Sequence, residues 1–276
     1  MTITRVVVVC ALAACGSAHA GLTFLPIAPT LNRSANLVTN GSFEVGGPGA
    51  SNLFWASGTT NTPFGVPGGW ASSGAPDTYA VWGNQGSPRI RDSAQFPHGE
   101  NGLYFGNLFT SVDQPYTINP DGRVSFATSP VFTPTYGAPC VLTQTVNTQL
   151  APAAAYQLTF WVSGEDANIN PAWQEGVMGF HMTNVAPGDP MQYLSIPSDL
   201  SAAHSRVYGF QFTPLNPSLP VKIEFYNWGH VTQVGNGFNP FTTELVLDDV
   251  IINPVPVPGG LALLGLAGLG AARRRR

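Results

Sequence analysis

Short runs of alternating apolar and polar residues, separated by turn-forming clusters, set the fold class of this 276-residue chain. In Tyr156-Gln-Leu-Thr-Phe-Trp-Val162, the side chains of Tyr156, Leu158, Phe160 and Val162 share a face. Tyr208, Phe210 and Phe212 repeat the pattern within Arg206–Phe212. Val221, Ile223 and Phe225 do so again, with Lys222 and Glu224 on the opposite side. Val141–Val146, Val177–Met182 and Leu245–Ile252 read the same way. Successive side chains of a strand point to opposite faces, so this period of two predicts half-buried β-strands. No window of a dozen residues carries a capped 3.6-residue apolar period. Glycine (31) and proline (25) together supply about a fifth of the chain, which favours turns over helices. Asn40-Gly41, Asn101-Gly102 and Asp121-Gly122 read as tight turns. The prediction is a single all-β domain, an antiparallel jelly-roll sandwich. Residues 46–135 read as loop-rich, with no strand placed by alternation.

Charge is distributed unevenly. Arg5 and Arg273–Arg276 lie at the chain ends, which leaves Arg33, Arg89, Arg91, Arg123, Arg206 and Lys222 against all 15 acidic residues. Residues 21–253 therefore carry a net charge near −9. Such a surface repels phosphate backbones and disfavours nucleic acid as a partner. Met1–Ala20 reads as a signal peptide: Arg5, then the apolar VVVVCALAA, then Ala18-His19-Ala20 with cleavage between Ala20 and Gly21. Leu12-Ala13-Ala14-Cys15 also fits lipoprotein processing at Cys15, so that alternative stands beside the first; both export the chain. Cys140 is then alone in the domain, which excludes an intramolecular disulfide.

Two motifs bracket the domain. Asn36-Leu-Val-Thr-Asn-Gly-Ser-Phe-Glu44 and Gly68-Gly-Trp70 stand near its start, and Leu245-Val-Leu-Asp-Asp-Val-Ile251 stands near its end. Between them come the Gln144 strand and Leu150-Ala-Pro-x-x-x-Tyr156-x-Leu-x-Phe160. This arrangement resembles galactose-binding-like β-sandwiches, among them many carbohydrate-binding modules, over roughly Asn36–Asn253. The resemblance implies that the two ends meet and that a structural calcium sits where they do. Glu44 and Asp248 or Asp249 are the matching acids, since Ca²⁺ takes carboxylate and carbonyl oxygens. Adjacent aspartates in a regular strand face opposite ways, so at least one needs a partner for its charge. The other reading of the two aspartates is hydrogen bonding to loop amides.

No catalytic residues are predicted. Glu165, Asp166 and Glu175 flank Trp173 in one loop, which by itself reads as a solvated acidic segment. His98, His181, His204 and His230 show no zinc-binding spacing. Sugars stack their C–H faces on aromatic rings, and two aromatic groups have polar neighbours: Tyr79 with Trp82, and Tyr226 with Trp228. With Trp173 these form the candidate ligand residues. Trp70 reads as core, Trp161 as facing the second side of its sheet, and Trp55, Trp82, Trp173 and Trp228 as loop residues.

The last residues order three features. Val255-Pro256-Val257-Pro258 is followed by the uncharged Gly259–Ala272 and then by Arg273, Arg274, Arg275 and Arg276. The 18 residues from Val255 to Ala272 span about 27 Å as a helix, close to the length of a membrane crossing. The arginines would remain cytoplasmic and leave the domain outside. The order resembles the PEP-CTERM sorting signal of Gram-negative bacteria, with Val257 where glutamate is commonest. That resemblance implies transient anchoring in the inner membrane, processing by an exosortase, and release to a cell surface or biofilm matrix rich in exopolysaccharide. The domain organisation is thus signal peptide 1–20, sandwich 21–253 and sorting signal 254–276. The expected function is exported polysaccharide binding; the alternatives are a structural matrix component without a ligand and, more remotely, a glycoside hydrolase.

Overall fold

The computed structural model describes residues 21–44, 68–73, 80–83, 97–99, 101–105, 110–134, 140–150, 153, 155–164, 176–196, 206–228, 231–233 and 245–255. The described strands are β1 (Gly21–Leu25), β2 (Ala71–Ser73), β3 (Ala80–Gly83), β4 (Asn101–Phe105), β5 (Thr110–Val112), β6 (Tyr116–Ile118), β7 (Val124–Phe126), β8 (Phe132–Pro134), β9 (Cys140–Val146), β10 (Tyr156–Gly164), β11 (Gly176–Met182), β12 (Gln192–Ile196), β13 (Arg206–Thr213), β14 (Val221–Asn227), β15 (Val231–Gln233) and β16 (Leu245–Pro254). The helical structure among the described residues is 3-10, Arg33–Ala35 and Thr148–Leu150. No described helix is long and apolar enough to cross a membrane.

Every alternating segment forms a strand. Two sheets result, one ordered β1-β13-β10-β16-β4-β3 and the other β12-β11-β14-β9-β2. Their pairings are antiparallel. The inward residues of both meet in one core: Leu158, Phe160, Phe210 and Leu247 from the first sheet against Leu142, Phe180, Ile223 and Phe225 from the second. Phe160 packs edge-on to Phe225 with centroids 5.0 Å apart and also contacts Phe180 at 5.1 Å. Each such ring stabilises the fold by about 2–3 kcal/mol on burial. The fold is a β-sandwich, with successive strands passing between its sheets.

The segment 46–135 contains more structure than its sequence suggests. Strands β2 to β8 lie there, most of them three residues long. Asn101-Gly102 opens β4 and pairs with β3, so it is no turn; Gly102 stands opposite Trp82. Asp121-Gly122 does turn the chain, with Gly122 at φ +85° between β6 and β7. Strands β5 and β8 pair, and β15 adds to β5 in parallel. This subsidiary layer builds a second small core, with Val112 and Val124 against Val177 of β11 and Tyr193, Phe132 and Trp228 around them.

The ends of the domain lie side by side. Asn36 Nδ2 donates to the Val250 carbonyl at 2.8 Å, and the Ile252 amide donates to Asn36 Oδ1 at 2.9 Å. Leu37 and Val250 add main-chain bonds to Ile252 and Gly41. Buried Gln144 of β9 clasps the Thr39 amide and carbonyl, at 2.7 and 2.9 Å. The opening motif thereby ties both sheets together. Trp70 is buried beneath it, its Nε1–H donating to the Asn40 carbonyl.

Candidate functional site

Regular alternation fails at Asp248-Asp249. Thr159 pairs with Ile251 while Trp161 pairs with Asp248, so two residues of β16, Asp249 and Val250, face one residue of β10. This is a β-bulge, and Asp249 occupies the left-handed region at φ +50°. The inward phase runs Leu245, Leu247 before the bulge and Val250, Ile252 after it. A strict strand would send the two carboxylates to opposite faces; the extra residue instead separates them by environment. Asp249 Oδ1 and Oδ2 each accept from Arg33, both at 2.7 Å. Asp248 is fully buried. Its Oδ1 accepts from the Asp249 amide at 2.6 Å, and its Oδ2 has no hydrogen-bond partner among the described residues. Burial pushes the Asp248 carboxyl well above its usual range, with the Asp249 and Glu44 charges adding to the rise. Main-chain hydrogen bonds from Asp249 and His98 oppose it.

Glu44 thus lies in the electrostatic reach of Asp248. The segment 97–99 covers both: a Cβ on Gly99, at φ +73°, would stand 2.2 Å from Glu44 Oε1. Arg33 Nη2 also donates to the Pro97 carbonyl at 3.1 Å, which fastens that segment to β16. Two acids beside one orphaned buried oxygen suit a hard cation. Among the described residues no three His, Cys, Asp or Glu side chains converge for a metal, so Glu44 and Asp248 would need main-chain or water oxygens to complete a Ca²⁺ shell. Within those terms the residues fit. Of the acids named from sequence, the structure brings Glu44 and Asp248 together and gives Asp249 to Arg33.

The second region is the outer face of the sheet containing β14. Alternation turns Lys222, Glu224 and Tyr226 away from the core, and register sets Glu224 between His181 and Thr143. Glu224 Oε2 lies 2.6 Å from His181 Nδ1 and Oε1 lies 2.5 Å from Lys222 Nζ. Tyr226 Oη donates to Oε2 at 3.4 Å. Burial works against the Glu224 charge, yet the Lys222 and His181 contacts outweigh it and hold the carboxyl below its usual range. Burial and the Glu224 charge push the Tyr226 phenol up, so it remains a donor.

Tyr226 stacks beside Trp228 with centroids 6.0 Å apart and planes 13° off parallel. Gly179 makes this possible, since a Cβ there would come within 3.1 Å of Trp228 Nε1 and 3.2 Å of Tyr226 Cβ. Phe132 stacks on Trp228 at 4.4 Å and 11°. Trp228 follows the last residue of β14 as a half-buried ring; it seats the β5–β8 layer on the sheet, while Tyr226 borders the polar triad. His181 was missed by spacing arguments because only strand register brings it to Glu224. Trp161 is buried at 5% exposure. Trp82 lies in β3. Tyr79, Trp173, Trp55, Glu165, Asp166, Glu175, Ala20, Pro256–Pro258 and Arg273–Arg276 lie outside the described residues.

No protein-family model matches the sequence, and no curated protein matches it either. Solved structures resemble it at low identity. TmCBM61 in complex with β-1,4-galactotriose is 14% identical with a TM-score of 0.44, covering 80% of this chain and 99% of its own. The enzymatically active domain of bacteriophage CBA120 tailspike protein 4 is 12% identical with a TM-score of 0.40, over 82% of this chain and 22% of its own. The CBM22-1 xylan-binding domain of Paenibacillus barcinonensis Xyn10C is 11% identical with a TM-score of 0.34, over 70% of this chain and 90% of its own. Likeness at this level bears on neither ligand nor activity.

Proposed function

We propose that this is an exported bacterial surface or matrix protein whose sandwich binds extracellular polysaccharide on the outer face of the β14 sheet. The observation that carries the reading is the juxtaposition of Tyr226 with the His181–Glu224–Lys222 triad. An aromatic ring offers a stacking surface for a sugar's C–H face. Beside it, a carboxylate, an ammonium and an imidazole supply acceptors and donors for vicinal hydroxyls. Glu224 already has donors in the free protein, so a sugar would exchange hydrogen bonds with Lys222 and His181 without adding an uncompensated charge. The lowered Glu224 carboxyl gives no proton at neutral pH, which supports binding over acid catalysis. Calcium at Glu44 and Asp248 has a structural role in this reading, locking the opening motif to β16. Residues 254–276 act as the PEP-CTERM sorting signal, processed by an exosortase at Val255–Pro258 before release from the inner membrane.

Retention of the protein on immobilised neutral and acidic polysaccharides tests the central claim. Tyr226→Ala should lose retention by tenfold or more, on the scale of about 1.4 kcal/mol. If no glycan retains the wild type, the ligand-free matrix component replaces this reading. For the tail, Val257→Glu should increase processing and leave export unchanged; identical processing would show that the position is not read.

A further inference from the structure

The calcium reading leaves unexplained why Asp249, next to the buried acid in sequence, is clamped by an arginine. The geometry answers this. Asp249 leaves the regular strand at a positive φ, and its two oxygens both meet Arg33 at 2.7 Å. The guanidinium fork satisfies a carboxylate bidentately and is never neutral at ordinary pH. Arg33 comes from the short 3-10 turn that follows Asn32, whose main chain is itself bound to Asn253 of β16, at 2.6 and 3.1 Å. The fork is therefore anchored on the same strand as the acid it holds. Its remaining bond, to the Pro97 carbonyl, fixes the segment that roofs Glu44 and Asp248.

We infer that Arg33 is the positioning residue of the cation site: it withdraws Asp249 from the ligand set and cancels its charge, so that Glu44 and Asp248 alone supply carboxylates to the metal. This rests on the calcium reading and makes a narrower claim about the chain's own residues. Two carboxylates match the charge of a divalent cation. A third would tighten binding and also raise the repulsion stored in the metal-free fold. Because affinity in such sites follows the count of ligand charges, Arg33 sets the strength of the site without touching the metal.

The test is calcium titration of the full chain by calorimetry, with the thermal midpoint in calcium and in EDTA measured alongside. Removing the guanidinium with Arg33→Met should tighten binding about tenfold through the uncancelled negative charge, and Asp249→Asn should weaken it about tenfold. The double variant restores the charge balance and should bind within about threefold of wild type, as should Arg33→Lys, which keeps the charge. Asp248→Asn should abolish binding. A double variant as weak as Asp248→Asn would make Asp249 a ligand and overturn the inference. Weaker binding by Arg33→Met would do the same, showing that the arginine acts by holding the 97–99 segment. If Arg33→Met fails to fold, Asp249→Asn decides: a loss of about tenfold supports the inference, whereas a loss as complete as that of Asp248→Asn makes Asp249 a ligand and overturns it. If wild type shows neither binding nor a midpoint shift, the calcium reading itself falls, and this inference with it.

Discussion

Asp248 and Glu224 are both largely buried carboxylates on the outer sides of their sheets, and the protein treats them in opposite ways. Glu224 has Lys222, His181 and Tyr226 around it and is held below its usual range. Asp248 has main-chain amides but no cationic side chain against it, keeps Oδ2 without a hydrogen-bond partner among the described residues, has acidic neighbours, and is driven above its range. The first acid is satisfied from within and ready to trade hydrogen bonds. The second is incomplete and waits for positive charge, whether a proton or a metal. Burial alone therefore does not mark a binding residue; the sign of the surroundings does.

Four experiments would break or sharpen this contrast. The largest effect should come from the small core that packs beside the Glu224 face. Trp228→Ala removes the ring on which Phe132 stacks and should cost about 2–3 kcal/mol in denaturant unfolding; a loss under about 0.5 kcal/mol would mean the β5–β8 layer does not depend on it. Next, Asp248→Asn should stabilise the chain in EDTA at neutral pH by about 1–2 kcal/mol, because a buried charge is exchanged for an amide. The pH profile fixes the sign. A raised carboxyl favours folding fully below its unfolded value of about 3.9 and loses that contribution as pH rises through the folded value. Wild type in EDTA should lose stability over that window, the variant should not, and calcium should abolish the difference. Equal profiles would refute the incomplete-acid picture.

Third, Glu224→Gln should cost about 1 kcal/mol, modest because Lys222 is half exposed and solvent-screened. Its pH signature runs the other way. A lowered carboxyl contributes above its unfolded value of about 4.3, and the contribution disappears as pH falls through the folded one. The stability advantage of wild type over Glu224→Gln should therefore shrink as pH falls below about 4.3, and a gap that stays constant into acid would refute the ion-paired carboxylate. Last, Tyr226→Ala should shift stability by under about 1 kcal/mol while removing glycan retention. A stability loss matching that of Trp228→Ala would assign Tyr226 to the scaffold as well.

The strands of the main core were legible because their inward rings, such as Phe160, Phe210 and Phe225, alternate over seven or more residues. Strands β2, β5, β6, β7 and β8 were not. A three-residue strand such as Ala71-Ser-Ser73 has no period to read, and it exists because β9 offers it an edge. The turn reading of Asn101-Gly102 failed for a related reason: pairing with β3 overrode a local preference for a turn. The double aspartate was legible as an anomaly, and its resolution was not, since a bulge is set by pairing with β10. Lys222, Glu224 and Tyr226 were visible as one outward row. His181 joined them only through register, and Arg33 gave no sequence signal of its clamp at all.

The way β16 finishes has a mechanical consequence. Its last residue is Pro254, and the next amide, that of Val255, still donates to the Ala155 carbonyl at 2.8 Å. The folded body therefore runs up to the first residue of the proposed processing motif with no slack between them. A protease working there would have to bring its cleft almost flush against the sandwich, and a membrane-held chain would carry its domain close to the lipid surface, like a lamp without a stem. Clearance would then limit how fast the domain is cut free, alongside the identity of the four motif residues.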